Sequence, residues 1–395
     1  MGRDSALHFV NPPAPPLGYR PVYPYLLAGI FRLFGTFSVA SYWVAIAFNI
    51  LVHALTCVVL YWAATDAFGP AVGWFSGCAL GAFPLLFYPL VLAHVLGGYM
   101  GQGLFISPNL IWYTQLSELA VISLIWLTLR KPHWVIYGLS WGIASLVNPD
   151  ILSCAPAFLA WRIWRGDKAR WAMLAGLVAT CCIAPWLMRN YMVFHHFIFI
   201  RDDFGVELKV GNQPRQDGQW DPRVHPDANI YELSRVETMG ENAYTQAAEK
   251  DAFSAILSHP KEFARNVMLR VGYWWIGNPM ASTRLRKLRF LKYLPLAAFS
   301  LLTLYGAARN LRYRNYKAIP FVAVLIFYPI VYYLTHTFSG FFYQYAVHPE
   351  MLALAASAIL RDKPHQQREM TRNLDLERMG ESLLQPVASL QPQPH

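Results

Sequence analysis

"YTQLSELAVISLIWLTLRKPHW" (Tyr113 to Trp134) is the stretch on which the fold turns. Between Leu116 and Leu129 the only charged residue is Glu118, and the apolar run stops at Arg130-Lys131-Pro132. A helix that crosses a bilayer needs about 20 mostly apolar residues, within a range of about 17–25. The window 111–129 has that length, and basic residues directly after such a run are what a cytoplasmic loop carries.

Composition extends the reading to the whole chain. Of 395 residues 55% are hydrophobic and 15% aromatic, and only 14% are charged. A soluble domain carries about 25% charged residues. The expected fold class is therefore all-α integral membrane, a multi-pass helical bundle. Cys57, Cys78, Cys154, Cys181 and Cys182 lie in apolar runs. They read as small buried hydrophobes and not as a disulfide framework or a metal site. The formal charge of +10 is assigned to loop arginines on the cytoplasmic face, which excludes a nucleic-acid partner. Met1 to Gly18 shows one basic residue and no apolar centre, so no signal-peptide pattern is legible there.

Hydropathy predicts about nine spans, at 39–62, 71–93, 111–129, 133–148, 150–164, 171–187, 293–308, 318–335 and 345–360. The fourth and fifth are short and divided by Asn148-Pro149, which leaves either a tight helical pair or one re-entrant segment. Basic loops at Arg130 to Trp134, Trp161 to Trp171 and Arg309 to Lys317, with the tail after Arg361, orient the bundle. With all four in the cytoplasm, residues 1–38 form an external loop with an interfacial helix, and 188–292 form a second external region between bundle segments 39–187 and 293–361. Residues 362–395 are then a cytoplasmic tail. The cluster Arg284, Arg286, Lys287, Arg289 and Lys292 runs against this orientation. An external start with nothing hydrophobic ahead of it leads to the expectation that a first transmembrane helix precedes this chain.

The external region 201–270 balances 9 Lys/Arg with 12 Asp/Glu, an ordinary soluble surface. "ENAYTQAAEKDAFSAILSH" predicts an amphipathic helix with Tyr244, Ala248, Phe253, Ile256 and Leu257 on one face. "HPKEFARNVMLRVGYWWIG" predicts an interfacial helix, with Arg265 and Arg270 reaching toward head groups.

Few residues suggest chemistry directly. Glu118 lies about two turns inside its span, where an ionisable group marks either a functional pocket or a hydrogen-bonded structural glutamate. Asp150 suits an N-cap of the next helix. Arg189 and Arg201 flank an aromatic segment at the outer boundary, followed by Asp202, Asp203 and Glu207. Arginines there suit an anionic lipid phosphate, or they pair with those carboxylates. His195 and His196 point about 100° apart on a helix and lack a third ligand, so no metal site is expected.

These stretches together resemble the GT-C superfamily of integral-membrane glycosyltransferases, in the bacterial branch of protein O-mannosyltransferases and the lipid A aminoarabinose transferase. The resemblance covers nearly the whole chain. It rests on "YRPVYPYLLAGIFRLFG", "SELAVISLIWLTLR", "LVNPDILSCAPAFLAWRIWR", "APWLMRNYMVFHHFIFIRDDFGVELKVGN", "ENAY…HPKEF" and "YYLTHTFSGFFYQYAVHPE", in the family's order. It implies transfer of a sugar from a polyprenyl-phosphate donor to a protein, lipid or glycan acceptor at the outer face of a bacterial inner membrane, without a cofactor. It further implies that Arg20, Arg189 and Arg201 anchor phosphate or loop, with Tyr23 beside them. Glu118 would belong to the pocket, and Asp203, Glu207 and His348 would line its rim. Three departures stand out, one of them that "YQYAVHP" keeps His348 and Pro349 but loses the arginines of the family's "R-Y-R-H-P". The family's catalytic aspartate has no clear counterpart, and Asp4 is the only acid near the matching position. Asp203 stands where the family usually has Asn. The alternatives are an inactive remnant or scaffold of the family, or a lipid or sugar transporter, although no internal repeat supports the latter.

Overall fold

The computed structural model describes residues 20–92, 113–214, 217–277, 289–336 and 343–360. Asp4, Arg284, Arg286, Lys287 and the tail after Arg361 lie outside the described residues. Within them the chain is helical, with no β-strand. The helices are α1 (Val22–Phe34), α2 (Val39–Phe68), α3 (Pro70–Leu92), α4 (Thr114–Arg130), α5 (Trp134–Val147), α6 (Ala155–Trp164) and α7 (Ala169–Phe194). They continue with α8 (Phe204–Asn212), α9 (Ile230–Met239), α10 (Glu241–Ser258), α11 (Pro260–Ile276), α12 (Arg289–Arg312), α13 (Ile319–Phe327), α14 (Ile330–Leu334) and α15 (His348–Ile359).

Helix ends follow local chemistry. Ser38 caps α2 by accepting from Ser41 N at 3.0 Å, and Gly69, at φ 101°, ends it before Pro70 opens α3. One face of α2 is buried through Ala45, Asn49, Val52, Thr56, Leu60, Ala63 and Ala67, the 3–4-residue spacing of a packed stripe. The opposite face exposes Trp43, Ile50, Leu51, Leu55 and Trp62. α7 is more outward still, exposing Met173, Leu177, Met188 and Tyr191. It docks on α5 at Gly138 and Gly142, where an added Cβ would meet Val178 and Cys182 side chains at 2.7 and 2.5 Å. Small residues at a helix crossing let backbones approach in this way. Among the described residues three segments are long and apolar enough to cross a membrane: Val39–Phe68, Ala169–Phe194 and Tyr316–Leu334. With these helices the chain is a helical membrane protein. Cys78 and Cys181 are exposed on these outward faces, so they are not the buried hydrophobes expected; Cys154 is.

The short fourth and fifth segments are a helical pair. α5 leaves from Tyr137, whose hydroxyl lies 2.9 Å from Thr128 Oγ1 at the end of α4. A six-residue 3-10 turn, Pro149–Cys154, reverses the chain. α6 then returns to the starting face, where Arg162 Nη1 donates to Thr128 O at 3.1 Å. The basic loops gather at that same end. Arg130 grips Asp66 at 2.6 and 2.9 Å, Lys131 donates to Arg165 O at 3.2 Å and Lys317 to Asp66 O at 2.9 Å. Arg309 donates to Ser357 O at 2.7 Å, so α15 also ends there.

At the opposite end α8 packs on α10 over a small core of Val206, Val210, Tyr244 and Ala248. Phe253 and Leu257 are exposed, contrary to the predicted face; Ala252 takes the buried place one turn after Ala248. α11 also departs from expectation. Trp274 is buried and stacked on Tyr332, with centroids 5.6 Å apart, and Trp275 Nε1 donates to Tyr333 OH at 2.9 Å. The helix is packed against α14 and does not lie free at an interface.

Candidate functional site

The site begins at the break in "LVNPD". A residue before proline is pushed out of the helical region, and Asn148 is extended at φ −154°, ψ 106°. Its Oδ1 accepts from Asp150 N at 3.2 Å, so Asn148 is the cap of this turn. That corrects the capping role expected of Asp150. Its carboxylate is free to turn inward, where it accepts from Tyr332 OH at 2.6 Å and from Arg20 Nη2 at 3.2 Å. Arg201 Nη2 lies 3.8 Å from its other oxygen.

Arg20 is held from three sides. Its Nε donates to Asn148 Oδ1 at 3.2 Å, and its guanidinium carbon sits 3.8 Å over the Tyr113 ring. Asn148 Nδ2 in turn donates to Tyr328 OH at 3.0 Å. Arg201 places Nε 2.9 Å from Asp203 Oδ1. Both arginines use Nε and Nη2 in these contacts, and neither Nη1 has a hydrogen-bond partner among the described residues.

A second set of groups adjoins the first. Glu207 Oε2 lies 3.1 Å from His336 Nδ1, and His336 Nε2 lies 3.0 Å from Tyr343 OH. Tyr343 stacks on Tyr332 at 4.4 Å, which links the two sets. The arrangement is held by Arg270, fully buried and without a carboxylate partner among the described residues. Arg270 donates to the carbonyls of Gly218 (2.9 Å), Tyr333 and Leu334 (3.0 Å each), to that of Gly211, and to Asn212 Oδ1 (2.8 Å). The expectation that Arg270 reaches head groups is thus overturned, because carbonyls at the ends of α8 and α14 need its donors. Gly211 is required here: a Cβ at this position would collide with Thr335 O and His336.

Electrostatics follow from the crowding. Burial works against the Arg201 charge, but Asp203 and Asp150 hold its pKa above the ordinary value. Burial and Glu207 raise the Asp203 carboxyl to about 6 in spite of Arg201. Burial likewise raises Glu207, against the pull of Arg201. Burial and Arg270 lower His336 to about 3, so its imidazole is neutral. The arrangement can hold an oxyanion on two Nη1 groups and accept a proton on a carboxylate.

Of the residues singled out in the sequence, Arg20, Arg201, Asp203 and Glu207 come together. Tyr23, on α1 three residues after Arg20, is buried with its hydroxyl 3.5 Å from Asn49 Oδ1. Arg189 does not join. It lies over Trp186 at 4.8 Å and donates to Asn190 at 2.8 Å. Glu118 is buried in the bundle within electrostatic reach of Glu350, and neither carboxylate has a hydrogen-bond partner among the described residues. His348 packs edge-on to Phe299 and Tyr345. Among the described residues no group of three or more His, Cys, Asp or Glu is arranged for a metal ion. In the sequence Asn148, Tyr332 and Tyr343 are not singled out for the site, Asp150 reads as a cap, and His336 reads only as flanking the last external turn. The available signals were the Asn-Pro-Asp at an apolar break and the tyrosines of "FYPIVYYLTH".

No protein-family model, no curated protein and no solved structure matches this chain.

Proposed function

We propose that this protein is a GT-C-type glycosyltransferase of a bacterial inner membrane, with about nine crossings. It would take a sugar from a polyprenyl-phosphate donor and pass it to a protein, lipid or glycan acceptor at the outer face. One observation supports this above the others. Arg20, Asn148-Asp150, Arg201-Asp203-Glu207 and Tyr332-His336, from four distant stretches that carry the resemblance, converge at the end of the bundle away from the basic loops. On the positive-inside rule that end is external, with the C-terminus cytoplasmic. The Nη1 groups of Arg20 and Arg201 would receive the donor phosphate and stabilise the charge that grows on it as the glycosidic bond breaks. Asp150 would keep the two cations side by side.

Binding of a polyprenyl phosphate to purified protein in detergent tests the reading. A charge-assisted hydrogen bond contributes about 1.5–3 kcal/mol, so Arg201→Ala should weaken binding roughly ten- to a hundredfold. Arg189→Ala should change it little. Failure of the wild type to bind, or equal small effects from both substitutions, would refute the site. A specific observation favours a second reading, that of a scaffold: Arg20 and Arg201 each already face a carboxylate, as a purely structural ion-pair network would.

A further inference from the structure

The cluster contains three carboxylates, and their surroundings differ. Asp150 accepts from Tyr332 and Arg20 and also faces Arg201, with 7% of its side chain exposed. Its Oδ2 is taken by two donors and its Oδ1 faces the Arg201 guanidinium, so it is committed to holding the two arginines. Glu207 is turned to His336 at 3.1 Å. Asp203 is different. It is the N-cap of α8, at φ −120°, ψ −2°, yet its side chain makes no capping hydrogen bond. Aspartate at that position ordinarily accepts from the backbone N–H two or three residues on. Here Oδ1 is drawn instead to Arg201 Nε at 2.9 Å. The Nη1 of the same guanidinium has no hydrogen-bond partner among the described residues. An oxyanion on that Nη1 and a proton donor against Asp203 would therefore be neighbours.

We propose that Asp203 is the general base of the transfer, taking the proton of the acceptor hydroxyl while Arg201 holds the donor phosphate. This rests on the glycosyltransferase reading. The acceptor O–H bond breaks and its proton goes to Asp203. The acceptor oxygen bonds to the anomeric carbon, and the bond from that carbon to the phosphate oxygen breaks, its electron pair staying on the phosphate. Nothing beyond donor and acceptor is consumed. Groups facing Asp203 are Arg201 and Asp202 beside it, Glu207 on α8, Arg20 before α1 and Asp150 after α5. Burial and the nearby carboxylates outweigh the arginines and raise the group to about 6, close to the pH at which a base works best.

The test is Asp203→Asn. Asparagine has the same shape, no capping hydrogen bond is lost and Arg201 still faces Asp150, so the fold should hold. Transfer from a panel of radiolabelled polyprenyl-phosphate hexoses and pentoses, with extracted membranes as acceptor, should fall by about 10²–10⁴ in kcat. Binding of polyprenyl phosphate should stay within about threefold. The acidic limb of the rate profile near pH 6 should vanish, and Asp203→Glu should restore part of the rate. Unchanged transfer, or a loss confined to KM, would overturn the assignment. Infrared difference spectra should show a carboxyl band titrating near pH 6 that Asp203→Asn lacks. Absence of that band overturns the role whatever donor is found. A wild type that neither binds polyprenyl phosphate nor transfers any sugar overturns the donor reading, and the base role with it.

Discussion

Replacing Arg270 with methionine should undock α8 from α14 without unfolding the bundle. The substitution removes donors from the carbonyls of Gly211, Gly218, Tyr333 and Leu334 and from Asn212 Oδ1. An orphaned buried acceptor costs about 1–3 kcal/mol. Leu334 O keeps the bond from Asn212 Nδ2 at 2.9 Å, and relief from burying a guanidinium offsets part of the rest. Burial lowers the Arg270 pKa to about 9, so the group is charged at neutral pH and that relief is real. With several acceptors orphaned and that relief deducted, the net cost is about 3–5 kcal/mol. Hydrogen exchange with mass spectrometry on the detergent-solubilised protein reads this directly. Protection over 204–212 should fall by about a hundred- to a few-thousandfold, at roughly 1.4 kcal/mol per decade, while α2 and α5 are unchanged. Arg270→Lys should recover only part, since an ammonium is a compact donor without the planar fork. Unaltered protection over α8 in Arg270→Met would refute the clamp.

Other outcomes are as specific. Asp203 titrates near 6 when folded and near 3.9 when unfolded, so the folded state binds more protons between those values and stability falls as pH rises through about 4–6. Asp203→Asn removes that loss. In urea titrations it should be about 1–3 kcal/mol more stable than wild type at pH 7.5 and equal to it below pH 4; a destabilised variant at pH 7.5 would contradict this. Tyr332→Phe deletes a 2.6 Å bond to Asp150 and should lower stability by about 1.5–3 kcal/mol in the same titration. On a cysteine-free background, cysteine at exposed Glu237 should react with an impermeant maleimide in intact spheroplasts, and cysteine at exposed Lys168 only after permeabilisation. The reverse pattern would invert the orientation.

The helical membrane class was legible in the sequence, as were most helix limits. Hydropathy is summed along a segment, and a run such as Val39–Phe68 stays apolar whatever it touches. The gathering of basic loops at one end was legible for the same reason, since Arg130, Arg165 and Lys317 follow directly from where the apolar runs stop. The site was only half legible. Arg20 and Asp150 stand 130 residues apart, and nothing local marks either as the other's partner. Arg189 and Arg201 read alike, yet one lies on Trp186 and the other beside Asp203. Arg265 and Arg270 occupy the same helix, one exposed and one fully buried. Which face of a helix meets another helix, and which carbonyls are left without donors at the ends of α8 and α14, are decided only when the elements pack. A buried charge takes its role from those neighbours, because in a low-dielectric interior its energy is set by partners within a few ångströms and hardly at all by the residues beside it in the chain.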